Sequence, residues 1–101
     1  MPSPQQLEAM LESDPDDVFL RYALAMAHRS AGDHEQAIQV FDDVLERDAE
    51  HVPSYFQKAQ TLAELKKVDE ARAVINDGIK VADRVNDAHA AGEMREFLAL
   101  L

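Results

Sequence analysis

Apolar residues recur every three or four positions along most of the chain, in four separate runs. Leu20, Ala23, Leu24, Ala27 and Ala31 make the first, and Ala37, Phe41, Val44 and Leu45 the second. Tyr55, Ala59 and Leu62 make the third, and Ala71, Val74, Ile75, Gly78, Ile79 and Ala82 the fourth. That spacing is one face of an α-helix, and no run shows the alternation of a half-buried strand. The gaps between runs carry helix punctuation. Gly32 suits a left-handed helix end, and Asp33 with Gln36 resembles a capping box. Ser3, Pro4 and Gln6 read as N-cap, first turn and capping box, and Asp87 after Asn86 reads as the cap of a last helix. Pro15 and Pro53 are placed at helix starts, where a missing N–H is harmless.

The runs also repeat. Displacing the chain by 34 residues sets Val18 on Val52, Ala25 on Ala59, Ala37 on Ala71, Val40 on Val74, Phe41 on Ile75 and Leu45 on Ile79. Displaced the other way, Leu7 meets Phe41 and Leu11 meets Leu45. A fixed period over most of a chain predicts a stacked repeat, here a pair of antiparallel helices per period. The alanines at 25, 37, 59 and 71 mark where paired helices cross closely, and Gly78 allows a closer approach at about 1 kcal/mol of helix propensity.

Leu24-Ala25, Gly32, Ala37 and Phe41 in the first period, and Tyr55, Ala59, Ala71 and Ile79 in the second, resemble the tetratricopeptide repeat, with Pro15 at the family's proline between units. The short length is similar to that of small stand-alone bacterial members. The resemblance implies an all-α, αα-hairpin repeat solenoid of about six helices. It divides a single domain, 1–101, into a half repeat (3–14), repeat 1 (16–49), repeat 2 (50–85) and a capping helix (87–101). Arg21, His28 and Ala49 depart from the family's Trp, Tyr and Pro, Lys58 stands at a usual Leu position, and Lys66 replaces the turn glycine. A left-handed Lys66 costs roughly 1–2 kcal/mol.

Charge narrows the partners. The net charge is -10. Residues 1–50 hold twelve acids and three bases, and residues 51–101 hold eight acids and seven bases. Such a field repels nucleic acid and anionic membranes and attracts a basic partner; adaptation to a salty medium is the competing explanation. With no cysteine, thiol catalysis, disulfides and cysteine-based zinc sites drop out. The first residues form no signal-peptide pattern and no apolar run is of membrane-spanning length, so the expectation is a soluble, cytoplasmic protein.

Catalytic patterns are missing. The histidines at 28, 34, 51 and 89 make no metal motif, and His89 with Glu93 supplies two ligands at most, so no metal or other cofactor is expected. Asp42 and Asp43 read as a solvent face, and no serine sits in a nucleophile elbow. The chain is therefore read as non-catalytic.

One feature asks for a ligand. The helix from 18 carries a second stripe, Phe19, Tyr22 and Met26, beside its packing stripe. In the family the first helix of each pair lines the concave groove, so the resemblance implies a peptide-binding groove of Phe19, Tyr22, Met26, Arg29, Phe56, Gln57 and Gln60. Aromatics and methionine would anchor, the glutamines would bond a backbone, and Arg29 would pair with an acid or carbonyl. The competing structural reading packs Phe19 and Tyr22 against residues 3–14. The family's carboxylate clamp needs Lys and Asn where this chain has Tyr22, Met26, Phe56 and Gln60, so an acidic tail is not the expected ligand. The expected function is a protein- or peptide-binding scaffold with a basic or apolar partner. The alternative is an assembly subunit, a homo-oligomer joined through its terminal helices, since Leu100 is left over from the packing stripe Ala90, Ala91, Met94, Phe97, Leu98 and Leu101.

Overall fold

The computed structural model describes residues 2–101. Among them are six α-helices and no strand: α1 (Pro4–Ser13), α2 (Val18–Ser30), α3 (His34–Arg47), α4 (Val52–Glu64), α5 (Val68–Arg84) and α6 (Ala88–Ala99). Neighbours in sequence pack as hairpins. α1, α2 and α3 build one unit, ending at Ala49, and α4, α5 and α6 build a second, Glu50–Leu101. The fold is an all-α helical repeat.

Local chemistry sets the helix ends. At α1 the capping box is complete: the Gln6 N–H donates to Ser3 Oγ at 3.2 Å, and the Ser3 N–H donates to Gln6 Oε1 at 2.8 Å. Asp33 Oδ1 accepts from the Gln36 N–H at 3.4 Å, and Asp87 Oδ1 from the Ala90 N–H at 3.1 Å. Pro53 lies in the first turn of α4 as its sequence position predicts. Pro15 does not begin a helix. Asp17 captures the Leu20 N–H at 3.0 Å and so becomes the N-cap of α2, leaving Pro15 in the preceding turn. There the Pro15 carbonyl accepts from Arg21 Nε and Nη2 at 3.0 and 2.6 Å, a use for the arginine that replaces the family's tryptophan. Ala31 is also displaced from its expected role: α2 ends at Ser30, and Ala31 is an exposed C-cap rather than part of the packed stripe.

The three sharp turns between hairpin helices use one left-handed residue each. These are Gly32 at φ 84°, Lys66 at φ 63° and Asn86 at φ 62°. At Lys66 its own N–H donates to the Ala63 carbonyl at 2.9 Å and the next N–H, of Lys67, to the Leu62 carbonyl at 2.9 Å. These bonds hold the lysine in a conformation that glycine adopts without steric penalty. Lys66→Gly is therefore expected to stabilise the protein by about 0.5–1 kcal/mol, the steric relief of ~1–2 kcal/mol exceeding glycine's extra chain entropy. Thermal melting followed by circular dichroism should show a higher Tm. An unchanged or lower Tm would mean that the lysine side chain contributes more than its backbone strain costs.

Each unit has its own core. In the N-terminal unit Leu7 and Leu11 of α1, Leu24, Ala25 and Ala27 of α2, and Ala37, Val40 and Phe41 of α3 are buried together. Ala25, Ala37 and Phe41 have no exposed surface, as do Ala59 and Ala71 in the C-terminal unit. The four alanines thus stand at close crossings where a larger side chain has no room. Asp42 and Asp43 are half-buried rather than on a solvent face, because they flank Phe41 and Val44 at the border of the packed side of α3. In the C-terminal unit Val52, Ala59, Ile75, Val81, Ala82, Ala91 and Met94 form the core.

Gly78 shows how tightly that second core is drawn. A Cβ at this position would lie 2.7 Å from Tyr55 Cβ on α4 and 2.9 Å from Met94 Sδ on α6. The α5 backbone therefore serves as the floor against which α4 and α6 both close. Asp83 accepts from Arg95 Nη2 at 2.6 Å, linking α5 to α6, and Arg72 Nη2 donates to the Leu101 carbonyl. Two buried hydroxyls in α4 are satisfied locally. Thr61 Oγ1 donates to the Gln57 carbonyl at 2.7 Å, and Ser54 Oγ lies 2.8 Å from His51 Nδ1. No described helix is long and apolar enough to cross a membrane.

Candidate peptide-binding site

The convergence of α4 and α6 over Gly78 leaves a cavity of about 370 Å³ between the two helices. From α4 it is lined by Val52, Pro53, Phe56, Gln57 and Gln60, and from α6 and its N-cap by Asp87, Ala90 and Glu93. Helical spacing explains both sets. On α4 the steps from 52 and 53 to 56, 57 and 60 follow one face, and on α6 the three-residue steps 87, 90, 93 follow another. Ala90 is small, and the space that a larger residue would fill remains open to Phe56.

The chemistry of the cavity is divided. Phe56 is half-buried, and its ring is braced by Phe97 of α6, with centroids 5.7 Å apart and planes at 53°. A tilted aromatic pair of this kind is worth about 0.5–1.5 kcal/mol beyond its burial, so the ring is held rather than free to swing. Gln57 and Gln60 bring two amide groups, each able to donate and accept. Asp87 and Glu93 bring two carboxylates, and no lysine or arginine lines the cavity. Asp87 spends Oδ1 on capping α6, and Glu93 Oε1 lies 2.8 Å from His89 Nε2.

The structure thus brings Phe56, Gln57 and Gln60 into one cavity. It adds two acids that the sequence pattern marked only as a helix cap, Asp87, and as the neighbour of His89, Glu93. The signal that could have found them is the three-residue step from Asp87 through Ala90 to Glu93. It became readable only once α6 was seen to share a wall with α4. His89 and Glu93 do share a face, as their spacing predicts, and they pair with each other.

In the N-terminal unit, Phe19, Tyr22, Met26 and Arg29 follow one side of α2 at steps of three, four and three. Phe19 is 76% exposed, so it does not pack against residues 3–14. Its neighbours Val18 and Leu20 are half-buried, so α2 is rotated to turn Phe19 away from the packed face. Tyr22 is half-buried for a different reason: its ring lies on Phe41 of α3, with centroids 6.1 Å apart and planes at 53°. Met26 is half-buried against the same core, and Arg29 sits in the last turn of α2, where a cation favours the helix dipole. His28, in the same turn, has Nε2 buried, 3.8 Å from Glu8 Oε1. At the other end of the chain Leu100 is 84% exposed while Met94 is fully buried, so the last helix does carry a leftover leucine.

A helical hairpin repeated with alanine crossings, glycine or a left-handed stand-in at the turn, and a ligand-sized space along the first helix of a pair defines a helical-repeat interaction module. A family model described as anaphase-promoting complex, cyclosome, subunit 3 matches residues 6–78, about three quarters of the chain. The chain belongs to this family of tetratricopeptide-type repeats. Solved structures agree. A tetratricopeptide repeat domain protein from Salinibacter ruber, determined in solution by NMR, is 28% identical, with a TM-score of 0.80 over 85% of this chain and 87% of that one. The crystal structure of PcrH in complex with the chaperone binding region of PopD is 19% identical, with a TM-score of 0.88 over 96% of this chain and 74% of that one. The type III secretion translocator chaperone SycD of Yersinia enterocolitica is 14% identical, with a TM-score of 0.88 over 97% and 74%. At these identities the last two show the fold. No functionally curated protein matches the sequence.

Proposed function

We propose that this protein is a non-catalytic scaffold that holds a segment of another protein, with the α4–α6 cavity as a principal docking point. The observation that carries this reading is the meeting of a braced aromatic, two amides and two carboxylates in one 370 Å³ cavity. Its size lies at the low end of the roughly 300–1,000 Å³ of small-ligand sites, suited to one or two side chains of an extended segment rather than to a whole domain. Phe56 supplies apolar contact at little entropy cost, and Gln57 and Gln60 can meet the segment's backbone. The strip Phe19, Tyr22, Met26 and Arg29 is a second surface of the same kind on the N-terminal unit. The likeness to PcrH, which is seen with the chaperone binding region of PopD, and to SycD, a translocator chaperone, supports a protein segment as the class of partner.

The test is selection of a displayed random-peptide library on the full chain. Peptides are expected to enrich, and their affinity is expected to fall about tenfold or more in Phe56→Ala and Gln60→Ala, the loss typical of a binding hot spot. Phe19→Ser, an exposed change, asks the same of the N-terminal strip. Circular dichroism confirms that each variant is folded. Failure of any peptide to enrich removes the scaffold reading. Folded Phe56 and Gln60 variants that bind as the parent does remove the cavity from it.

A further inference from the structure

Within that reading, the lining of the cavity specifies what it receives. We propose that the α4–α6 cavity takes an arginine side chain from an extended partner segment, the guanidinium lying against Phe56 and bonded to the carboxylates of Asp87 and Glu93.

Three observations support this occupant. First, the cavity holds two formal negative charges and no formal positive one. Second, each carboxylate keeps one oxygen without a partner among the described residues, since Asp87 uses Oδ1 for the Ala90 N–H and Glu93 uses Oε1 for His89. A carboxylate can accept several hydrogen bonds, so both remain able to receive N–H donors. Third, the acids do not stand alone: the Phe56 ring, held by Phe97, forms part of the same wall. A planar cation that stacks on an aromatic face and donates to carboxylates in its plane fits this combination, and guanidinium does both. An ammonium would use the charge but not the flat face.

A helix dipole works against a cation here and has to be weighed. α6 begins at Ala88, and its N-terminus carries roughly half a positive charge that fades within the first turn. Asp87 caps that terminus with a full negative charge. Glu93, beyond the first turn, is outside the dipole's reach, so the net field in the cavity is negative. His89 stands beside Glu93, its Nε2 2.8 Å from Oε1. It is 89% exposed and pairs with only one oxygen of Glu93.

The experiment uses the full chain and a fluorescein-labelled, end-blocked heptapeptide with a central arginine between two leucines and otherwise serine and glycine. Its counterparts carry citrulline, lysine or glutamate in place of the arginine. Fluorescence anisotropy should rank arginine first. Citrulline, the same shape without charge, should bind about tenfold more weakly, the scale of a charge-assisted hydrogen bond, with glutamate weakest of the four. Glu93→Gln and Asp87→Asn should each weaken the arginine peptide about tenfold and leave the citrulline peptide unchanged; asparagine caps a helix as well as aspartate, so α6 is retained. Equal affinity for arginine and citrulline, no measurable binding of the arginine peptide, or indifference to both variants overturns the proposal. If library-selected peptides of another chemistry still depend on Phe56, the scaffold reading survives and only the arginine assignment falls.

Discussion

Phe41→Ala is expected to cost about 3–5 kcal/mol of stability, the usual loss for a fully buried phenylalanine. Folded domains are stable by only about 5–15 kcal/mol, so the variant should be largely unfolded at moderate temperature. Phe41 has no exposed surface, is the largest of the fully buried side chains, and supports the Tyr22 ring from below. Alanine would leave a hole bordered by α2 and α3 that neither backbone can close without moving the Ala25 and Ala37 crossings. Phe19→Ala removes the same atoms from a side chain that is 76% exposed, and should change stability by no more than about 0.5 kcal/mol. Urea unfolding followed by circular dichroism measures both. Similar losses in the two variants would contradict the burial that separates them.

Gly78→Ala opposes two physical effects of comparable size. Helix propensity alone favours alanine in the middle of α5 by about 1 kcal/mol. Packing opposes it, because the new methyl would lie 2.7 Å from Tyr55 Cβ. A Cβ is fixed to its backbone and cannot rotate away, so α4 as a whole must give. The 2.9 Å approach to Met94 Sδ is easier to relieve, since that sulfur ends a flexible side chain. Overpacking of this kind costs about 1–3 kcal/mol, so packing wins and the variant should be destabilised by about 1–2 kcal/mol, a fall in Tm of several degrees. Because α5 is the floor under both α4 and α6, the same variant should also weaken peptide binding at the cavity. A stabilised Gly78→Ala protein would show that the helices separate freely and that the cavity is not held to one width.

Much of this architecture was legible because its causes are local. The caps at Ser3, Asp33 and Asp87 need only side chains within three residues of the N–H groups they accept from. The left-handed Lys66 followed from its alignment with Gly32, since two turns of equal length between similar helices demand the same backbone. Gly78 was readable as a close crossing because glycine is otherwise unfavourable inside a helix. Pro15 shows the limit of such reasoning: a proline is compatible with a helix start, but Asp17 competed for the capping role and won.

The candidate site was legible in part. Phe56, Gln57 and Gln60 followed from the family resemblance, but their partners across the cavity did not. α2 and α4 begin 34 residues apart, at Val18 and Val52, whereas α6 begins 36 residues after α4, at Ala88. The difference arises because α5 has 17 residues to the 14 of α3, while the connection after α5 is one residue shorter than that after α3. A slip of two residues rotates a helix by about 200°, so extending the period would have turned the wrong face of α6 toward α4.

Periodicity, composition and turn chemistry by themselves determined the helices, their pairing into repeated hairpins, the small residues at the crossings and the excess of acids over bases in residues 1–50. These rest on interactions between residues close in sequence, or on a period that the chain states twice. The tertiary structure alone decided that Phe19 is exposed while Phe41 is buried, that Tyr22 leans on α3, and that Asp87 and Glu93 face Phe56. Each of those depends on how one helix is rotated against another, and that rotation is set by side-chain packing over many residues at once.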